Sequence, residues 1–116
     1  MTDHKGALET SVAHAADSLV AMQPHAIASR VVARSSAGNV TLFAMDAGEL
    51  ISEHTTPFDA LVLVLEGRLE LTIGGAPVNA SGHDLVRMPA HVPHALRAIE
   101  PARFLLVMLR EAQPAL

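Results

Sequence analysis

The sequence predicts an all-β domain, an antiparallel barrel or sandwich with a short helix or arm at its N-terminus. Three observations carry that expectation. Beyond Pro24, apolar residues alternate with polar ones at a period of two, the pattern of half-buried strands. The strand-like runs are short and regularly spaced, with Gly-, Ser- and Asn-bearing turns between them, which favours all-β architecture over α/β. Two of the runs, Ala60–Leu65 and Phe104–Leu109, are apolar at every position, so both of their faces need cover.

Taken in order, residues 1–6 are polar and expected to be mobile. From Ala7 to Met22, the residues Leu8, Val12, Ala15, Leu19 and Met22 recur at three- and four-residue spacing, which predicts a helix over 7–22 that ends before Pro24. Residues 1–25 then form an arm and residues 26–116 the barrel. Strands are expected at Ile27–Arg34 and Val40–Asp46, joined by the turn Ser35-Ser-Ala-Gly-Asn39. Ala60–Glu66 and Arg68–Ile73 flank Gly67, and Gly74-Gly75 supplies a tight turn where a positive φ costs little. Asp84–Met88, Ala95–Ile99 and Phe104–Leu109 bring the expected count to seven or eight strands. A domain this small has few elements to cover the outer faces of Ala60–Leu65 and Phe104–Leu109. A symmetric homodimer with the outward leucines in the contact is therefore expected, the alternative being that the N-terminal helix covers them.

Composition narrows the function. A chain of 116 residues, half of them apolar, supports one domain whose core needs neither metal nor disulfide. The net charge is -4, Trp and Tyr are absent, and the only aromatic carbocycles are Phe43, Phe58 and Phe104. Nucleic acid would meet neither a basic footprint nor stacking platforms, so none is expected as a partner. The absence of cysteine excludes disulfides, thiolate ligands and a Cys nucleophile, and fits a reducing compartment. The apolar run Ser18–Met22 is too short for a signal sequence or a membrane span. A soluble, cytoplasmic protein with no membrane partner is expected.

Of seven histidines, three stand where a strand begins or is about to begin: His54 in Glu53-His-Thr-Thr-Pro-Phe-Asp59, and His91 and His94 in Pro89-Ala-His-Val-Pro-His94. A rigid sheet can aim such side chains into a cavity, and neutral imidazole is the commonest metal ligand. Two histidines hold a divalent ion firmly only with a carboxylate or a third histidine. His4, His14, His25 and His83 have no patterned partners and read as surface residues, as do Glu49, Glu53, Glu66 and Glu70. The arginines mark solvated strand faces, with Arg87 or Arg97 available to a substrate carboxylate if turned inward. No phosphate loop, Ser/His/Asp order or nucleophile elbow is present.

Residues 48–67 resemble the first motif of the cupin family, G-x5-H-x-H-x3-E-x6-G, with Gly48, His54 and Gly67 in register. Residues 84–98 resemble its second motif, G-x5-P-x-G-x2-H-x3-N, with Pro89 and His94 in register. His83, His91 and Ala98 replace the second motif's two glycines and its asparagine. The resemblance covers roughly residues 27–110 and implies a double-stranded β-helix, the jelly-roll cupin barrel. It also implies that His54 and His94 face the cavity as metal ligands. Thr56 stands at the family's second His and Ala60 at its Glu, so half of the ligand set is missing. Thr56, Asp59 and His91 are the candidates to support the pair. Asp59 needs a bend at Pro57 to turn inward, because in a regular strand it faces away from Ala60. Val62, Val64, Met88 and Leu96 are expected as apolar lining.

Three functions fit these residues. The first is a small-molecule-binding cupin with a depleted metal site. The second is a metal-dependent cupin enzyme of dioxygenase or isomerase type, using one divalent ion (Fe, Mn, Ni or Zn) as a Lewis acid or oxygen-binding centre. The third is a structural or regulatory dimer whose pocket is filled by side chains. The fold alone does not choose among them.

Overall fold

The structure, a computed structural model, describes residues 7–110. The expectations for residues 1–6, His4 among them, and for residues 111–116 lie outside the described residues. Within them the chain forms one short helix, α1 (Ala16–Leu19), and nine strands. The strands are β1 (Ile27–Ser35), β2 (Gly38–Met45), β3 (Leu50–His54), β4 (Asp59–Glu66), β5 (Arg68–Ile73), β6 (Ala76–Ser81), β7 (Leu85–Met88), β8 (His94–Ala98) and β9 (Ala102–Leu109). They make two antiparallel sheets, one of five strands in the order β1-β2-β9-β4-β7 and one of four in the order β3-β8-β5-β6. No helix among these residues is long and apolar enough to cross a membrane.

The period-two alternation sets the core. In β4 the side chains of Ala60, Val62 and Val64 turn inward. They meet Met45 and Phe104 from their own sheet, and Leu69, Leu71, Leu96 and Ala98 from the facing sheet. Val62, Val64, Leu69, Leu71 and Phe104 are fully buried, each contributing about 1.5–3 kcal/mol of transfer free energy. Phe104 stacks on Phe43 across the β2–β9 ladder, with ring centroids 4.9 Å apart. Gly67 joins β4 to β5 at φ +80°, and a Cβ there would lie 2.0 Å from the Pro101 carbonyl oxygen. Gly74-Gly75, both at positive φ, close the β5–β6 hairpin between Ile73 and Ala76.

Three expectations change. The helix predicted over 7–22 is a single turn. Ser11 takes φ +65°, Ala15 is extended, and the arm instead runs along the sheet with the Leu8 amide bonded to the Val32 carbonyl at 3.0 Å. Of the five stripe residues Leu8, Leu19 and Met22 do pack, and Val12 and Ala15 are exposed; the partners lie on a flat sheet, where an extended strap covers more area than a helix. Leu8, Ala16, Leu19, Val20 and Met22 pack against Val32, Leu42, Ala44, Leu65 and Leu105 on the outer face of the five-stranded sheet. Second, β3 and β6 were not anticipated. Both are edge strands of the four-stranded sheet; β3 is largely exposed and β6 carries Pro77, so neither shows a clean alternation. Third, the alternative cover named for the outer leucines is in place for two of them, since the arm packs on Leu65 and Leu105. Arg103 fastens this strap, its Nε donating to the Val20 carbonyl at 3.1 Å while Nη1 pairs with Glu66.

Candidate functional site

His54 closes β3 and His94 opens β8, and the antiparallel ladder sets them opposite each other, after an irregularity between Ile51 and His54. Residues opposed in such a pair hold their Cβ atoms about 5 Å apart, which is why forty residues of intervening chain do not separate them. The rings meet edge to face, with centroids 4.3 Å apart, an interplanar angle of 72°, and Nε2 3.1 Å from Nε2. His94 is buried and His54 exposed.

The outer nitrogens decide the chemistry of the inner ones. His54 Nδ1 lies 2.8 Å from the Ser52 carbonyl, and His94 Nδ1 lies 3.2 Å from the Val92 carbonyl. A carbonyl oxygen only accepts, so a hydrogen assigned to each Nδ1 satisfies both contacts, and a neutral ring in that tautomer presents a bare Nε2. Two lone pairs then face each other. That arrangement calls for an electrophile, whether a proton, a cation or a ligand's hydrogen-bond donor. Burial holds the His94 pKa below the ordinary imidazole value, the Val92 carbonyl opposes this, and the neighbouring His54 adds to the lowering.

Val62, Val64, Met88 and Leu96, expected as apolar lining, are buried in the main core cluster together with Ala60. Three cavities, of about 280, 200 and 200 Å³, lie elsewhere: at the β1–β2 hairpin with the end of β9, on the four-stranded sheet around Arg97, and beside Phe58. None of the three is lined by His54 or His94.

The candidate supports are not brought to the pair as acidic or imidazole ligands. Asp59 faces away from the interior: its Oδ2 accepts from Arg87 Nε at 2.9 Å and from Nη2, and its Oδ1 accepts from the Ala90 amide at 2.9 Å. Arg87 first, then the Ala90 amide, hold its carboxyl below the usual carboxylate range. Arg87 thus serves Asp59 rather than a substrate, an ion pair that the sequence reading missed. Its signal was the β4–β7 register, which sets Leu61 opposite Arg87 two residues from Asp59. His91 is exposed at φ +67°, its amide donating to the Thr56 carbonyl at 2.8 Å. Thr56 Oγ1 donates to the Phe58 carbonyl at 2.9 Å. Among the described residues no group of three His, Cys, Asp or Glu could hold a metal ion. Two imidazole nitrogens without a carboxylate do not fit a firmly held divalent ion. His14, His25 and His83 are exposed.

A family model described as the cupin domain matches residues 41–108. No curated protein matches the chain. Among solved structures, a conserved protein of unknown function from Streptococcus pyogenes is 29% identical, with a TM-score of 0.86 over 91% of this chain and 93% of its own. A cupin superfamily protein from Desulfitobacterium hafniense is 24% identical, with a TM-score of 0.81 over 91% of this chain and 96% of its own. KdgF from a Halomonas species is 24% identical, with a TM-score of 0.68 over 77% of this chain and 83% of its own. The latter two likenesses speak for the fold alone.

Proposed function

The chain belongs to the cupin family, and from that premise we propose that it is a small-molecule-binding cupin with a depleted metal site. The observation that carries this reading is the pair of facing Nε2 atoms 3.1 Å apart in a fold whose interior is apolar. Few convergent polar groups on an apolar wall are what a small-molecule site needs for orientation. A hydroxyl or amine donor on the ligand would relieve the facing lone pairs. Ala60 and Thr56, where the family resemblance expects Glu and His, support a site that works without a resident ion.

A second reading is a metal-dependent enzyme of dioxygenase or isomerase type. It is favoured by the tautomers: both Nδ1–H groups donate to carbonyls, the orientation that leaves Nε2 free for a metal. His54 and His94 would be the protein's only two ligands among the described residues, fewer than a firmly held ion needs. Such an ion would supply Lewis-acid polarisation.

Metal analysis of the gently purified protein separates the two. The first reading expects well under one equivalent of Fe, Mn, Ni and Zn together. One full equivalent, lost in His54→Ala and His94→Ala, would decide for the enzyme. A thermal-shift screen of small hydroxylated and amine-bearing compounds tests the ligand side. A ligand at a hundred times its Kd stabilises by about 2.7 kcal/mol, a rise of about 10 °C in Tm, which His94→Gln should abolish.

The partner proposed for the part of the outer face left open by the arm is a second copy of this chain. Leu61 and Leu63 are half-buried there, and Leu85 is 67% exposed. We place the arm–barrel boundary at residue 25. A reducing, cytoplasmic setting accords with the absence of cysteine.

A further inference from the structure

We propose a second ligand site, separate from the histidine pair: the cleft between Phe58 and Arg110 takes a small carboxylic acid with an apolar body. The cleft has a volume of about 200 Å³ and is lined by Pro57, Phe58, Asp59, Ala90, Leu109 and Arg110. That equals the liquid volume of about seven waters, room for one ring or a short chain with a single head group.

Its walls differ in kind. Pro57, Phe58 and Leu109 form an apolar side, and Leu109 is 48% exposed. The Arg110 guanidinium lies over the Phe58 ring, 5.2 Å from its centroid. A cation placed over a ring face in this way is drawn to the ring and keeps its charge beside the apolar wall. The backbone beneath is fixed, because the Arg110 amide donates to the Ala37 carbonyl at 2.7 Å. Two arginines, Arg87 and Arg103, pair with carboxylates; among the described residues Arg110 has no such partner.

The charge on the third wall does not oppose an anion. The Asp59 carboxylate is taken up by Arg87 and the Ala90 amide. Asp59, Arg87 and Arg110 together carry one net positive charge, and the unmatched charge is the one over Phe58. A carboxylate accepting from a planar guanidinium, with its hydrocarbon body against Phe58 and Leu109, satisfies both walls at once.

Benzoate is a suitable probe, with benzamide as its neutral counterpart of similar shape. In the full chain, benzoate should produce saturable amide shifts in two-dimensional NMR at Phe58, Ala90 and Arg110. Benzamide should bind about tenfold more weakly, and Arg110→Gln should lose about tenfold in benzoate affinity, the loss of one charge-assisted contact. Phe58→Leu keeps the apolar wall but not the stacking platform, and should weaken benzoate several-fold. His54→Ala should bind benzoate as the parent does, so the outcome does not depend on the histidine pair. Equal binding of benzoate and benzamide, unchanged affinity in Arg110→Gln, or no saturable shift at these residues would overturn the proposal. Shifts centred on His94 and lost in His54→Ala would overturn it too, by assigning the acid to the other site.

Discussion

His94 is the buried polar residue among the described ones, and its burial has a consequence that can be measured. The folded chain binds a proton at His94 less readily than the unfolded chain, whose imidazole keeps a value near 6.5. Well above that value both states are neutral and the full stability is present. As pH falls through it, the unfolded chain takes up a proton that the fold resists, and stability declines until the folded ring is protonated as well. Asp46, held low by the His25 and Ala47 amides, and Asp59, held low by Arg87 and the Ala90 amide, act in the same sense. They extend the decline below their ordinary value of 3.8. Thermal melts should therefore show Tm falling between about pH 7.5 and about pH 5. His94→Gln should flatten that limb and leave the acid limb intact; an unchanged upper limb would disprove the assignment. The pairing of His54 with His94 was legible through the resemblance to the two cupin motifs, in which His54 stands in register with Gly48 and His94 with Pro89. The use of Asp59 was not, since it depends on which strand lies next to β4. His83 and His91, which stand where the family pattern carries or neighbours glycine, both adopt positive φ, at 74° and 67°. The pattern thus recorded a backbone conformation, which histidine tolerates better than most residues.

At the scale of elements, the strands that the sequence disclosed are those with an interior face. β4, β5 and β9 alternate or saturate with apolar residues because they lie in the middle of a sheet. β3 and β6 bury little and so leave little imprint on residue type, whereas β1 and β7, edge strands too, were legible from their apolar residues. The arm failed for a different reason. Spacing of three and four describes a stripe only if the backbone is helical, and an extended strap can present the same residues to a flat surface. Gly67 tests how firmly the β4–β5 connection is set. Its positive φ and the 2.0 Å approach of the Pro101 oxygen leave no room for a side chain. Gly67→Ala should cost at least about 2 kcal/mol in chemical denaturation, against a few tenths for an alanine at an exposed strand position. A loss under about 0.5 kcal/mol would mean that the connection relaxes.

The whole molecule consists of two apolar clusters on either side of one sheet. The main one fills the space between the sheets, and the second lies under the arm. The arm reaches Leu65 and Leu105 but leaves Leu85 largely exposed. If a second copy covers that remainder, Leu85→Lys should leave the fold intact, since the side chain is 67% exposed. It would at the same time weaken self-association about a hundredfold, the loss of two leucine burials per dimer. Light scattering behind size exclusion reads both quantities. A parent chain that stays monomeric at every concentration would remove the second copy as partner.

Arg103 joins three parts of the chain that are distant in sequence: β9, the end of β4 at Glu66, and the strap at Val20. A barrel trimmed to start at Ile27 would keep every strand and every hydrogen-bonded ladder. It would also uncover Leu42, Ala44, Leu65 and Leu105 and strip Arg103 of one acceptor. Such a fragment would be correctly folded yet prone to clump, so the shortest piece that looks complete by strand count is not the shortest piece that stays dispersed in water.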